Sequence, residues 1–367
     1  MKEKRVIMAN FGRKFVPNLY SSTTQIRLFA LLVTAIFTLI LLAPLTTAQN
    51  TSDGSFNLVV SPLPAAIEAK PGMTVTTDLK LKNAGSATEK IKIDLMKFGA
   101  EGEDGTPKLL DIEPADEFIK WVTFSENKFE AEPNVWKNIK MNIAVPADAA
   151  YGYYYAVVFS RDNVQPQPQK ANLLGAVASL VLLNVDAPGA KREAKLTEFS
   201  MPKKMYEFLP TEFTIRMQNS GNVHVAPRGN IFIYKGGENQ GMLEVNQNKG
   251  FILPDAFRKF DAKWEDGSPV YRIKTADGKV SLDKNGKQQS YLDWDSFKLS
   301  KLRMGKYTAN ITMVYNDGKY DVPVQGTVSF WVIPWRIIGV LLLIVILVLG
   351  GLYTLVVRPI RGRLKKV

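Results

Sequence analysis

The chain of 367 residues carries 47 Lys and Arg against 35 Asp and Glu, a net charge of +12, with one histidine and no cysteine. Disulfides, zinc–thiolate sites and thiol nucleophiles are therefore excluded, and a single histidine leaves little for a histidine metal site or triad. So basic a chain ordinarily points to nucleic acid, but the charge distribution argues against it. Six bases and one acid lie in residues 1–48, six bases and no acid in 335–367, and removing both segments leaves 35 bases against 34 acids.

Residues 1–48 have the layout of a secretory signal peptide. Lys2, Lys4, Arg5, Arg13, Lys14 and Arg27 precede the apolar run 28–43, and Thr46-Thr47-Ala48 supplies a small-x-Ala site. Cleavage after Ala48 is expected, with an uncleaved anchor as the alternative. Either arrangement leaves the middle of the chain outside the cell, because the basic flanks stay in the cytoplasm.

Residues 49–187 read as strands. Val75, Thr77, Leu79 and Leu81 alternate with Thr76, Asp78, Lys80 and Lys82; Ile91, Ile93 and Leu95 alternate with Lys92 and Asp94; Ile139, Met141 and Ile143 alternate with Asn138, Lys140 and Asn142. Such period-two patterning with one polar face marks antiparallel sheets. Glu101, Glu103 and Asp104 form the densest acidic cluster, in a glycine-rich hairpin tip; a solvated loop is the expected role and calcium binding the alternative. Tyr151, Tyr153, Tyr154 and Tyr155 gather at the start of one strand. Since successive side chains alternate faces, Tyr151, Tyr153 and Tyr155 are read as candidate ligand or partner contacts. Tyr154 is read as a tyrosine corner of the immunoglobulin type. The run 172–184 is apolar on both faces and too short to span a membrane. It predicts a central strand covered on both sides, or one whose outer face meets the second domain or a partner.

Asp186-Ala187-Pro188-Gly189-Ala190 marks the boundary, and 188–333 repeats the pattern with Phe213, Ile215 and Met217, then Tyr307, Ala309, Ile311 and Met313. Asp-Gly and Asn-Gly dipeptides at 104, 266, 277, 285 and 317 punctuate both halves as hairpin turns. Asn83-Ala84-Gly85 and Asn219-Ser220-Gly221 suggest an internal repeat, as do Gly152-Tyr153-Tyr154 and Gly305-Lys306-Tyr307, which makes Tyr307 a second candidate corner. His224 reads as a turn residue between strands. Trp121, Trp136 and Trp264 read as core pillars. The predicted fold is all-β, two tandem immunoglobulin-like β-sandwich domains.

Residues 337–357 hold no charge, bounded by Arg336 and Arg358. A helix of that length reaches about 31 Å, enough for a hydrocarbon core of about 30 Å. A transmembrane helix is predicted over 335–358, with Trp331, Trp335, Arg336 and Arg358 at the membrane interface and 359–367 as a basic cytoplasmic tail.

Taken in order, the segments PGMTVTTDLKLKNAG, WVTFS, WKNIKMNIAVPADAA, YGYYYAVVF, NSGNVHVAPRGNIFI, FILPDAFRKFDAKW, GKYTANITMVY and FWVIPW resemble the WxL-interacting protein family of bacterial cell-surface proteins. The resemblance covers nearly all of the exported region and the anchor. It implies two immunoglobulin-like domains, the first associated with peptidoglycan and the second with a partner or host, ahead of the membrane helix.

The expected role is therefore an extracellular binding or adhesion module tethered to the cell membrane. Its expected partners are cell-wall peptidoglycan and a secreted or surface protein, such as one of WxL type, with no cofactor, no metal and no catalytic residues. A structural spacer or subunit of a membrane complex is the alternative, and a wall-glycan enzyme built on paired carboxylates is a third reading.

Overall fold

The computed structural model describes residues 56–163, 176–276, 278–294 and 298–354. The expected signal peptide, Arg358 and the basic tail lie outside these residues.

The first strands are β1 (Leu58–Ser61), β2 (Ala65–Ala69), β3 (Thr74–Asn83), β4 (Glu89–Glu101), β5 (Thr106–Leu110), β6 (Val122–Phe124), β7 (Lys128–Ala131), β8 (Trp136–Ala144), β9 (Tyr151–Arg161) and β10 (Ala176–Val185). They form two sheets, ordered β1-β3-β8-β6 and β2-β10-β9-β4-β5, with β7 also on β4. The alternation explains their packing: Leu79, Leu81, Ile139, Met141 and Ile143 from one sheet meet Ile91, Tyr155, Val157 and Phe159 from the other, all nearly inaccessible to solvent.

The next strands are β11 (Ala194–Ser200), β12 (Met205–Tyr206), β13 (Thr211–Asn219), β14 (Arg228–Lys235), β15 (Glu238–Val245), β16 (Phe257–Trp264), β17 (Val270–Ile273), β18 (Thr275–Ala276), β19 (Lys279–Val280), β20 (Ser290–Asp293), β21 (Gly305–Asn316) and β22 (Asp321–Val332). The two larger sheets run β11-β13-β16 and β12-β22-β21-β14-β15. Their core holds Phe213, Ile215, Met217, Ile231, Trp264 and Phe330.

Both β-sandwiches follow one plan. The opening strand lies antiparallel on the next long strand, as β1 on β3 and β11 on β13. A short segment then crosses to the other sheet and pairs in parallel with its last strand, as β2 with β10 and β12 with β22. The asparagine motifs make the same bonds in each. Asn83 Nδ2 donates to the carbonyls of Ala87 (2.7 Å) and Ala131 (3.0 Å), and its Oδ1 accepts from Gly85 N (2.8 Å). Asn219 Nδ2 donates to Val223 O (2.8 Å) and Ile252 O (2.9 Å), and its Oδ1 accepts from Gly221 N (2.9 Å). Each buried amide thus satisfies the backbone where a strand ends in the interior.

Trp264 is a core pillar, 1% exposed, and Trp121 is partly buried against the first core. Trp136 is not a core residue. It is 48% exposed, because Ile139, Met141 and Ile143 take the inward positions of β8 and the parity of the strand turns residue 136 to solvent.

After β22 the chain enters α1 (Trp335–Leu352), 18 residues with none buried. It is the one helix among the described residues that is long and apolar enough to cross a membrane.

Candidate binding junction between the sandwiches

Strand β9 is covered on both faces. Tyr153, Tyr155, Val157 and Phe159 point into the first core, while Tyr154, Ala156 and Val158 point the other way. This second face joins Met96, Phe98, Leu109 and Leu182 in a third apolar cluster, and Phe251 and Leu253 from the second sandwich close it. The run 172–184 is doubly apolar for that reason: in its described part, the inner residues of β10 pack in the sandwich, and Ala178, Leu180 and Leu182 pack outward in the junction.

Phe251 and Leu253 are presented by a braced loop. Asn246 Nδ2 donates to Pro227 O (2.5 Å) and Gly250 O (2.9 Å), and Gly250 N donates back to Asn246 Oδ1 (2.7 Å). Val225 and Ile252 exchange backbone bonds of 3.0 and 2.7 Å.

The tyrosines are placed by this two-sided burial. Tyr155 is fully buried, its hydroxyl donating to Phe118 O at 3.3 Å. Tyr153 faces the same core, its ring 4.7 Å from Trp121 and 5.5 Å from Phe118. Both rings lie on the face of β9 that the first sandwich takes, Tyr155 fully buried and Tyr153 partly so. Tyr151 is half-buried in the left-handed region (φ 73°), with its hydroxyl against Gly189 of the connection to β11.

The corner assignment shifts by one residue. Tyr153, not Tyr154, reaches back, its hydroxyl accepting from Ala150 N at 3.2 Å. Tyr307 does the equivalent with the Met304 backbone and stacks on Phe330 at 5.6 Å. Tyr154 belongs to the junction: its ring lies 5.9 Å from both Phe98 and His224, and its hydroxyl is buried beside the His224 backbone without a well-formed hydrogen bond. Burial raises its pKa above the usual phenol range. The ring folds over Gly152, where an added Cβ would lie 2.2 Å from the hydroxyl oxygen.

His224 packs edge-on against Phe251 at 5.1 Å, with Nδ1 buried and unpartnered. Burial, aided by the charge of Arg192, pushes its pKa down to about 4. The imidazole is therefore neutral at pH 7, enclosed by aromatic rings rather than poised beside a nucleophile.

The acidic loop is the largest departure from expectation. Glu103 is not a solvated loop residue but bridges to the second sandwich. Its carboxylate accepts from Arg216 Nε (3.1 and 2.9 Å) and Nη2 (2.6 Å), pairs with Lys259 Nζ (3.1 Å), and its backbone carbonyl accepts from Lys259 N (2.6 Å). Arg216 first, then Lys259, holds the Glu103 carboxyl down to about 2. Arg216 also lies 3.8 Å over the Phe257 ring. Asp104 is engaged locally by Thr106 N and Oγ1, both at 2.9 Å. With these carboxylates committed to Arg, Lys and a turn, the loop is not arranged as a calcium site, and no group of three or more His, Asp or Glu able to hold a metal occurs among the described residues.

Beside this clamp lies a cleft of about 270 Å³ lined by Leu63, Phe98, Leu180, Leu182, Phe251 and Leu253, with Arg258 at its edge. Arg258 Nη1 donates to Phe251 O at 2.7 Å, while Nε is buried without a partner. Gly105 and Gly250 make room for the guanidinium; an added Cβ would approach it to 2.2 and 2.5 Å. An apolar cleft with one inward cation suits a small apolar side chain or a carboxylate-bearing group. Arg216 and Lys259 carry no sequence signal of this role, since their partner Glu103 lies in the other sandwich.

The predicted interface residues cluster where the chain enters α1. Trp331 and Trp335 are about half exposed, and Arg336 Nε lies 3.4 Å from Glu207 Oε1, a carboxylate buried in the second sandwich.

No protein-family model matches the chain, and no curated protein matches it in sequence. Among solved structures, it is similar to the class 5 fimbriae chaperone CfaA, at 13% identity over 74% of this chain and 98% of that one, with a TM-score of 0.33. The Pseudomonas aeruginosa CupB2 chaperone is similar at 9% identity over 75% and 100%, TM-score 0.30. A chain of the CsuC–CsuE chaperone–tip adhesion subunit complex of Acinetobacter baumannii is similar at 12% identity over 56% and 89%, TM-score 0.30.

Proposed function

We propose that this chain is a membrane-anchored extracellular binding module of two immunoglobulin-like domains. In this reading it holds cell-wall peptidoglycan and a secreted or surface protein, such as one of WxL type, close to the membrane. The observation that carries the proposal is the joining of the two sandwiches by an apolar junction and the Glu103–Arg216–Lys259 clamp, directly ahead of an apolar helix. Such a body displays its surfaces in a set orientation at a set height, which suits a tethered binder. Catalysis has little support: the lone histidine is buried among rings and Glu103 is held by two cations.

The test is co-sedimentation of the full-length protein, in mild detergent, with purified peptidoglycan and separately with secreted surface proteins. Retention on either supports the reading. Release of glycan fragments, lost on acid substitution, would replace it with an enzymatic one. The rigid clamp also suits a spacer or subunit of a membrane complex, and cross-linking in intact membranes separates that reading from a free-standing tether.

A further inference from the structure

The two sandwiches differ at one end. In the first, β8 ends at Ala144 and β9 begins at Tyr151; in the second, the corresponding connection runs from Trp264 to Gly305 and carries β17 to β20. Topology places this insert at the helix end of the sandwich. Gly305 pairs with Val332, the last residue of β22, just before α1, and β21 runs back from there. The insert is fastened to the helix. Tyr271 donates its hydroxyl to Glu207 Oε2 at 3.2 Å, and the other oxygen of Glu207 faces Arg336 in the first turn of α1. Trp294 packs on Phe208, the neighbour of Glu207, with ring centroids 6.3 Å apart.

The insert is amphiphilic on its surface. Ile273, Val280, Leu282, Tyr291, Trp294 and Leu299 are all exposed. Between them stand the exposed Lys274, Lys279, Lys284, Lys287 and Lys298, which make no salt bridge among the described residues, in contrast to Arg272, held by Asp293, and Arg303, held by Asp266. Exposed aromatic and aliphatic side chains interleaved with exposed lysines are the composition of an interfacial membrane segment, and a surface that faces only water does not reward it.

We propose that the described part of the insert, residues 270–276, 278–294 and 298–304, docks on the bilayer that α1 crosses, the apolar side chains entering the headgroup region and the lysines pairing with anionic phospholipid phosphates. Two features select this occupant over a protein partner: the Glu207 link that holds the insert at the level of the helix entry, where Trp331 and Trp335 also lie, and the exposed lysines of the insert. Docking would add a second point of attachment and so restrict tilting of the body about α1. The inference stands independently of what the sandwiches bind; it needs only that α1 spans a membrane.

The chain has no cysteine, so single-cysteine variants report one position each. Leu282→Cys in the insert and Tyr320→Cys, in the β21–β22 turn at the opposite end of the sandwich, would be labelled with an environment-sensitive fluorophore in the full-length protein. Each is reconstituted into nanodiscs of zwitterionic lipid alone or with phosphatidylglycerol. The expected result is blue-shifted emission at position 282, quenched by a nitroxide on the lipid headgroup, stronger with phosphatidylglycerol and reversed by high salt; position 320 stays unquenched. Replacing Lys274, Lys279, Lys284 and Lys287 by Gln should abolish the phosphatidylglycerol dependence without altering the circular dichroism. An unquenched probe at 282 in both lipids overturns the proposal, as does shielding that appears only when a second protein is added. Failure of the chain to enter nanodiscs overturns the spanning helix on which it rests.

Discussion

Acidification gives the sharpest test of the junction, because the molecule has a single histidine and it is buried there. An ordinary imidazole titrates near 6.5, whereas burial between Tyr154 and Phe251 pushes His224 down to about 4. The unfolded chain therefore takes up this proton first as the pH falls. Above 6.5 neither state is protonated and His224 has no effect on the pH dependence. Between 6.5 and 4 the unfolded state binds the proton and the folded state does not, so stability falls; below 4 both states bind it and the slope vanishes. A displacement of this size corresponds to about 3 kcal/mol, since one pH unit is about 1.4 kcal/mol. Most of the loss lies above pH 4.5, before Glu103, whose carboxyl is held at about 2, begins to lose its own contribution. The assay is urea unfolding of the full-length protein in mild detergent from pH 7.5 to 4, compared with His224→Gln, alongside NMR titration of the one imidazole signal. The variant should lose the slope between 6.5 and 4.5. An imidazole titrating at 6 or above, or an unchanged slope in His224→Gln, would refute the burial argument.

Asn219→Ala removes three buried hydrogen bonds, unpairing Val223 O and Gly221 N from the amide and leaving Ile252 O with Val225 N alone; the expected cost is about 2–4 kcal/mol, read from the same urea curves, and Asn83→Ala should cost less because two of its three bonds are only partly buried. Gly229→Ala would set a Cβ 2.1 Å from Thr312 O on the neighbouring strand; since backbone must shift, a loss of about 1–3 kcal/mol is expected, and a melting temperature equal to wild type would show that β14 and β21 are not so close. Glu103→Gln should loosen the sandwiches without unfolding either, seen as faster proteolysis in residues 186–193 while each core keeps its amide protection. The clamp itself should be intact above pH 4.5, where free and clamped carboxylates are both ionised, and should weaken as the pH falls from 4.5 toward 2.

The inward faces of the strands were open to reading because a strand shows its environment with a period of two. Leu79, Met141, Ile143 and Ile215 fall where alternation places them. The same rule held the answer for Trp136, whose parity within β8 is outward, yet the size of the ring drew it into the expected core. The shift of the corner from Tyr154 to Tyr153 is a one-residue error of this kind, and one residue changes the face.

Local patterning along the chain is enough for the strand-rich class, the direction in which most strands point their apolar side chains, the paired Asn-x-Gly motifs and the apolar helix. Each is a local property, written within a few residues by alternation, by backbone bonding or by hydrophobic length. The packing of the two sandwiches is what covers the outer face of β9 and β10, and so sets Tyr154 in a buried junction. It also decided the partner of Glu103, which is Arg216, 113 residues away. Periodicity reports that a face is apolar without naming what covers it. A carboxylate at a hairpin tip looks alike whether water or a guanidinium faces it. Only the packing of one sandwich on the other supplies that answer, because the groups that meet there belong to strands with no local relation in the chain.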